Sequence, residues 1–176
     1  PIYSDMAIGI ALLFGYKLCI NFDSPYQSSS VTEFWRRWHI SLSTWLRDYL
    51  YISLGGNRKG RLRTYWNQFL TMLLGGLWHG AAFRFILWGA MHGAALAVDK
   101  FIKEFFKIPD NRLFKVLGAL ITFHFVCFCW IFFRAEDMAT AWAVITQIFT
   151  HFVPSVFIPF LTDYRKIVLV MLVGYS

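Results

Sequence analysis

Leu73-Leu74-Gly75-Gly76-Leu77-Trp78-His79-Gly80-Ala81-Ala82 places a histidine in an almost uncharged, glycine-flanked stretch. Apolar sequence continues over residues 83–98, broken by Arg84 and His92. An imidazole in such surroundings costs free energy unless it is hydrogen-bonded. Ionisable groups at membrane depth usually mark function, which makes His79 a candidate general base. A histidine satisfied by a neighbouring helix accounts for the same residues equally well.

The rest of the chain supports membrane depth. Its 176 residues are 57% hydrophobic and 20% aromatic, with a mean hydropathy of +0.49. A soluble domain of this length does not carry such an apolar surplus, so an integral membrane protein is expected. Eight Trp and eight Tyr suit the headgroup level. The net charge of +7 lies mostly between apolar segments. There it marks cytoplasmic loops against anionic lipid rather than a nucleic-acid face. The chain opens at Pro1 and ends at Ser176 within an apolar run over 167–175. Residues 1–176 therefore read as one fragment of a membrane domain, with helices missing at both ends. Cys19, Cys127 and Cys129 all sit in apolar runs, and an odd number of such cysteines argues against a disulfide framework. His124 and Cys127 share a helix face, but two ligands do not make a zinc site, so no metal is expected.

Residues 6–20 read as the end of a transmembrane helix, and 21–30 as a polar connection. Ser30-Val31-Thr32-Glu33 fits a capping box. It opens an expected amphipathic helix over 31–54, lying at the interface or against the rest of the protein. At 100° per residue, Phe34, Trp35, Trp38, Leu42, Trp45, Leu46, Tyr49, Leu50 and Ile52 share an arc. Arg36, Arg37, Ser41, Ser43, Thr44, Arg47 and Asp48 oppose them, with Ile40 and Tyr51 as exceptions. His39 falls in the apolar arc, where snorkelling or a bond to a carbonyl explains it without chemistry.

Gly55-Gly56-Asn57 ends that helix. Arg58, Lys59, Arg61 and Arg63 then make a basic loop, most simply a solvated cytoplasmic one. From Trp66 to His79 is 14 residues, roughly 20 Å of helix against a hydrocarbon core of roughly 30 Å. Entering from the basic loop, His79 would stop short of the far face. Gly76/Gly80 and Gly89/Gly93 are small-xxx-small pairs that let helix backbones approach. His92, between the second pair, suits a supporting role. Lys100, Lys103, Lys107, Arg112 and Lys115 form a second basic loop, which makes 66–101 a hairpin if both loops share a side. Residues 113–133 are long enough to span and carry Arg134, Glu136 and Asp137 to the other side. A short helix over 138–149 follows, then interruptions at Pro154 and Pro159. Arg165 and Lys166 fit this topology only if 141–160 also crosses.

Five of these segments together resemble the bacterial membrane-bound O-acyltransferase family. They are YSDMAIG (3–9), FWRRWHISLSTWLRDYLY (34–51), LGGNR (54–58), LWHG (77–80) and WIFFRAE (130–136). The likeness covers most of residues 3–137 and is strongest to the alginate-acetylating branch, with the teichoic acid D-alanyl transfer branch more distant. It implies an all-α, polytopic transmembrane helical bundle with an amphipathic interfacial helix.

The resemblance also implies chemistry: acyl transfer from a thioester donor to a hydroxyl of a cell-surface or exported polysaccharide such as alginate. His79 matches the family's catalytic histidine. His39, 40 residues earlier, matches a second residue lining the reaction chamber. As neutral imidazole, His79 would take the hydroxyl proton while His39 orients the acceptor or bonds the tetrahedral oxyanion. Trp35, Arg36, Arg37, Trp38, Trp78 and Asn67 are the substrate-binding candidates. No bound cofactor is implied. Acetyl-coenzyme A or an acylated carrier protein would be the co-substrate, reaching the site from the cytoplasmic side, where residues 58, 59, 61 and 63 could meet it. The lipid bilayer and periplasmic or extracellular polysaccharide-acetylation proteins would be the partners, and the bacterial inner membrane the location, with several passes. No Gly-x-Ser-x-Gly elbow is present and no cysteine has an electropositive neighbour, which disfavours a covalent acyl-enzyme. Two rivals stand beside this reading. One is a transporter or channel subunit with His79, His92 and His124 as a proton path. The other is a non-catalytic membrane scaffold of a polysaccharide export complex.

Overall fold

The computed structural model describes residues 2–151 and 153–165, in two compact units, Pro1–Met138 and Ala139–Ser176. In the first, α1 (Ile2–Leu13) ends in a turn closed by the Tyr16 N–H on the Ala11 carbonyl at 2.8 Å. Gly15 supplies the left-handed residue at φ 80° that this cap requires. The helix expected over 6–20 therefore stops at Leu13, because Gly15 lets the chain turn within the apolar run.

After a 3-10 turn (Pro25–Gln27) come α2 (Val31–Arg37) and α3 (Ile40–Trp45). A π-helical stretch (Leu46–Tyr51) continues α3. The long elements are α4 (Arg61–Trp78), α5 (Phe83–Phe105) and α6 (Arg112–Arg134). The second unit holds α7 (Met138–Thr150), a 3-10 turn (Pro154–Val156) and α8 (Phe157–Asp163). Residues 141–160 are thus not one span: α7 stops at Thr150, and Pro159 falls in the first turn of α8, where its missing N–H costs nothing. Lys166 and the apolar run over 167–175 lie outside the described residues.

The α4–α5 hairpin expected from the two basic loops is present. Tyr65 Oη donates to Glu104 at 2.7 Å, and Arg61 lies over the Phe105 ring at 5.8 Å, so both loops share one end. Glycine sets the packing distance, with Gly76 facing Gly89 and Gly93 facing Phe69 across the interface. Gly80 sits instead in the turn, against the Phe85 ring. Helices α5 and α6 are long and apolar enough to cross a membrane, with mean hydropathies of 1.3 and 2.3. Only 28% and 22% of those windows are buried within the protein, far less than for the core helix of a soluble domain. This is a membrane protein.

Helix α2 begins as the capping box anticipated, with the Ser30 hydroxyl accepting from the Glu33 N–H at 3.3 Å. Glu33 reaches back one residue further than the motif prescribes, to the N–H and hydroxyl of Ser29, both at 2.8 Å. Burial pushes this carboxyl up, but the Ser29 hydrogen bonds and the Arg37 guanidinium at 2.9 Å outweigh it and hold it below its ordinary range. From there α2 runs down α5. The Thr32 N–H bonds Asp99 at 3.0 Å, and the Trp35 indole N–H bonds His92 Nδ1 at 3.2 Å. Asp99, His92 and Trp88 are successive levels of α5, and the Trp35 ring touches the last two.

An indole N–H only donates, so His92 Nδ1 is the unprotonated nitrogen. The ring is 1% exposed, enclosed by Phe34, Trp88 and Phe125, which confirms the supporting role read from its position. Trp35→Phe strands that buried acceptor and is expected to lower stability by about 1–2 kcal/mol. Thermal unfolding in detergent micelles, compared with His92→Phe and the double variant, measures it. If the bond carries the loss, the two single effects will not add.

Candidate active site

The helix expected over 31–54 keeps its amphipathic pattern but not its continuity. Residues 21–23 lie antiparallel to 37–40 and take their backbone hydrogen bonds. Asp23 N–H donates to the Arg37 carbonyl at 2.9 Å and Ile40 N–H to the Asn21 carbonyl at 3.0 Å. The Asn21 side chain caps the Ser41 N–H at 2.9 Å, and the Ser43 hydroxyl bonds the Trp38 carbonyl at 3.1 Å. Trp38 becomes extended, and His39 turns left-handed at φ 46°, ψ 57°.

Beyond the break the chain returns along α4. A Cβ added to Gly75 would meet Leu46 at 3.2 Å, and Asn67 Nδ2 donates to the Gly56 carbonyl at 3.0 Å. Residues 31–56 are thus a second helical hairpin, rising along α5 from the basic end and returning along α4, with Trp38 and His39 at its apex. The arc divides accordingly. Phe34, Trp35 and Leu46 are buried, whereas Trp45, Tyr49 and Ile52 face outward.

His79 occupies the other apex, just past the end of α4, whose 18 residues rise about 27 Å from the basic loop. Its N–H closes on the Gly76 carbonyl at 3.1 Å. The imidazole is walled by Trp78, Trp88 and Phe133 at centroid distances of 5.0, 5.5 and 5.1 Å, with Phe85 at 6.3 Å. Successive ring contacts, His39 to Trp38 at 5.6 Å, Trp38 to Trp130 at 5.7 Å and Trp130 to Phe133 at 5.6 Å, carry the wall from one apex to the other. The two imidazoles are thus joined through three intervening rings. His79 Nε2 and His39 Nδ1 are both buried, and neither makes a hydrogen bond to the protein. Buried polar atoms normally find partners. Each of these two nitrogens is therefore free to bond a ligand group.

The other candidates fall into different places. Trp38 belongs to the aromatic wall. Trp78 is 66% exposed and covers the outer side of His79. Trp35 is buried against His92, and Arg37 is engaged by Glu33. Asn67 is 0% exposed and fastens Gly56 to α4. Arg36 lines a cavity of about 1680 Å³ that opens toward the basic loops. Lys100, Lys103 and Lys107 stand at its rim, and Trp35, Met72 and Leu96 lie among its deeper residues; neither His39 nor His79 lines it. Trp88, Trp130 and Phe133 were not singled out from sequence as site residues. The one signal was that segment 130–136 belongs to the family pattern, which says nothing about which of its side chains face His79. Arg58 and Lys59 are exposed in the loop, whereas Arg61 and Arg63, also exposed, belong to the first turn of α4 rather than to the loop expected there. His124 bonds the Leu120 carbonyl of its own helix at 2.8 Å, and His92 accepts from the Trp35 indole. Among the described residues no group of three His, Cys, Asp or Glu side chains is placed to hold a metal.

The profile of the membrane-bound O-acyltransferase family matches residues 2–152, including both apices and the wall between them. The chain belongs to the membrane-bound O-acyltransferase family. Its relatives include the "probable alginate O-acetylase AlgI" of Pseudomonas aeruginosa, 55% identical over 151 residues, which are 84% of this chain and 28% of that protein. The peptidoglycan O-acetyltransferase of Helicobacter pylori is 49% identical over 143 residues, covering 81% and 27%. A teichoic acid D-alanyltransferase of Bacillus subtilis is 34% identical over 145 residues, covering 76% and 37%. The chain thus spans little more than a quarter of the alginate and peptidoglycan relatives. Membership in the O-acyltransferase family nonetheless gives the paired histidines a chemical context.

The backbone at His39 separates folding from chemistry. A left-handed conformation costs a β-carbon-bearing residue about 1–2 kcal/mol that glycine escapes. His39→Gly should therefore fold at least as well as wild type while losing acyl transfer. Thermal unfolding beside ester-acetyl content of the polymer checks both halves. A variant that is stable and fully active would show that only the turn matters.

Proposed function

We propose that this chain forms part of the reaction chamber of a bacterial membrane enzyme. The enzyme moves an acyl group, acetyl in the first instance, from a thioester to a hydroxyl of an exported polysaccharide. The observation that carries the reading is the pair of unpartnered imidazole nitrogens at the apices of two helical hairpins. His79 Nε2 takes the hydroxyl proton as the oxygen attacks the thioester carbonyl. The C–O bond forms, the tetrahedral intermediate collapses, and the C–S bond breaks with the thiolate as leaving group. His39 bonds the acceptor or the developing oxyanion. The aromatic wall keeps water from competing for the acyl group.

The basic residues at the end of the α4–α5 hairpin remote from His79 support a cytoplasmic side for the donor, which is acetyl-coenzyme A or an acylated carrier protein. The likeness to an alginate O-acetylase and a peptidoglycan O-acetyltransferase supports a cell-surface or exported glycan as acceptor; other polysaccharide-acetylation proteins are then the partners and the inner membrane the location. The test restores the full-length protein to a strain lacking it and measures ester-linked acetyl on the exported polymer. Wild type restores acetylation, and His79→Ala and His39→Ala do not. Full acetylation with both substitutions overturns the catalytic reading and leaves the scaffold.

A further inference from the structure

Arg84 stands at the start of α5, five residues after His79, and touches two of the residues whose rings pack on that imidazole. One terminal nitrogen, Nη1, donates to the Phe133 carbonyl at 2.8 Å, close to the end of α6. The guanidinium carbon lies 4.0 Å from the centroid of the Phe85 ring, inside the range of a cation–π contact. Phe85 and Phe133 also touch each other at 5.3 Å. One side chain therefore grips both rings, Phe133 through its backbone and Phe85 through its face.

The Phe133 ring in turn meets His79, Trp88 and Trp130. The last four carbonyls of a helix have no intrahelical partner. Without Arg84, that of Phe133 would lose its side-chain donor, and the end of α6 would be free to shift against the α4–α5 turn. A guanidinium in otherwise apolar sequence is costly, and neither the proton transfer nor acceptor recognition at His39 uses it.

We propose that Arg84 is a positioning residue: it clamps the end of α6 onto the start of α5 and so holds the Phe85 and Phe133 rings that set the His79 imidazole. It touches no reacting atom. Its effect is on the rate with which a correctly folded site turns over, since misplacing a catalytic group by about 1 Å costs up to about 10²-fold. The inference rests on the acyl-transfer reading of His79.

The experiment uses the full-length protein in the deletion strain and measures ester-linked acetyl formed per unit time on the exported polymer. Each rate is divided by the amount of folded, detergent-extracted protein. Arg84→Met should lower it by about tenfold to 10²-fold with the folded amount unchanged. Arg84→Lys, which keeps one donor and the positive charge, should recover most of the rate. Phe133→Leu should reproduce the loss, and the double variant Arg84→Met/Phe133→Leu should be no worse than Phe133→Leu alone, because both remove the same restraint. A wild-type rate in Arg84→Met beside an inactive His79→Ala overturns the clamp and leaves the general base standing. The clamp is equally overturned if folded protein falls in step with activity, if lysine is no better than methionine, or if the two losses multiply. An active His79→Ala removes the acyl-transfer reading, and the clamp with it.

Discussion

His79→Ala is expected to lower acyl transfer by about 10²–10⁴-fold, the usual contribution of a positioned general base. The remaining rate would come from holding donor and acceptor together in a dry chamber, which the substitution leaves in place. His79 caps α4 through its backbone, with its N–H on the Gly76 carbonyl, and alanine can make that bond equally well. Folding should therefore survive, although the space once filled by the imidazole lies against Trp88 and Phe133. The measurement is ester-linked acetyl per folded protein in the restored deletion strain, beside His79→Gln as a nearly isosteric control that cannot act as the base. Glutamine near the wild-type rate would mean that the imidazole only fills space.

Gly89→Val is expected to abolish the folded protein. A Cβ at Gly89 would lie 2.5 Å from the Met72 carbonyl oxygen and 3.1 Å from the Cα atoms of Gly76 and Leu73. All three are backbone atoms of the facing helix, so no side-chain rotation relieves the contact, and α4 and α5 must separate. Separation would strip the close packing that holds membrane helices together, because lipid is as apolar as the side chains and offers no compensating hydrophobic gain. It would also pull the His79 apex away from Trp88. Membrane yield and monodispersity after extraction report the loss, with Gly9→Val as control. A Cβ there meets nothing within 4 Å. Normal yield from Gly89→Val would mean that the close glycine packing does not support the hairpin.

Much of this architecture can be read from local pattern. The hairpin of α4 and α5 follows from two basic clusters flanking one apolar stretch, and the Ser30 cap from a four-residue motif. Residue-level roles at the site were harder to read. Trp35 and Asn67 were substrate-binding candidates on sequence, whereas the fold engages them with His92 and with Gly56. An indole or a carboxamide carries the same atoms for binding a ligand as for binding a neighbouring helix. Only the distance to a partner 57 or 11 residues away decides between those uses.

The amino-acid sequence by itself determined that this chain is helical and membrane-embedded, that the stretch between its basic clusters doubles back, and that two histidines 40 residues apart lie in apolar surroundings. Those properties depend on composition and on a period of 3.6 residues, both of them local. The tertiary structure alone decided that residues 31–54 break at Trp38. The competitor for that helix's backbone hydrogen bonds is residues 21–23, which no helical projection contains. It also decided that the break places His39 at an apex facing the apex of His79. Coupling of that kind is set by α5 and α6, which hold both hairpins at one level through Trp88, Trp130 and Phe133.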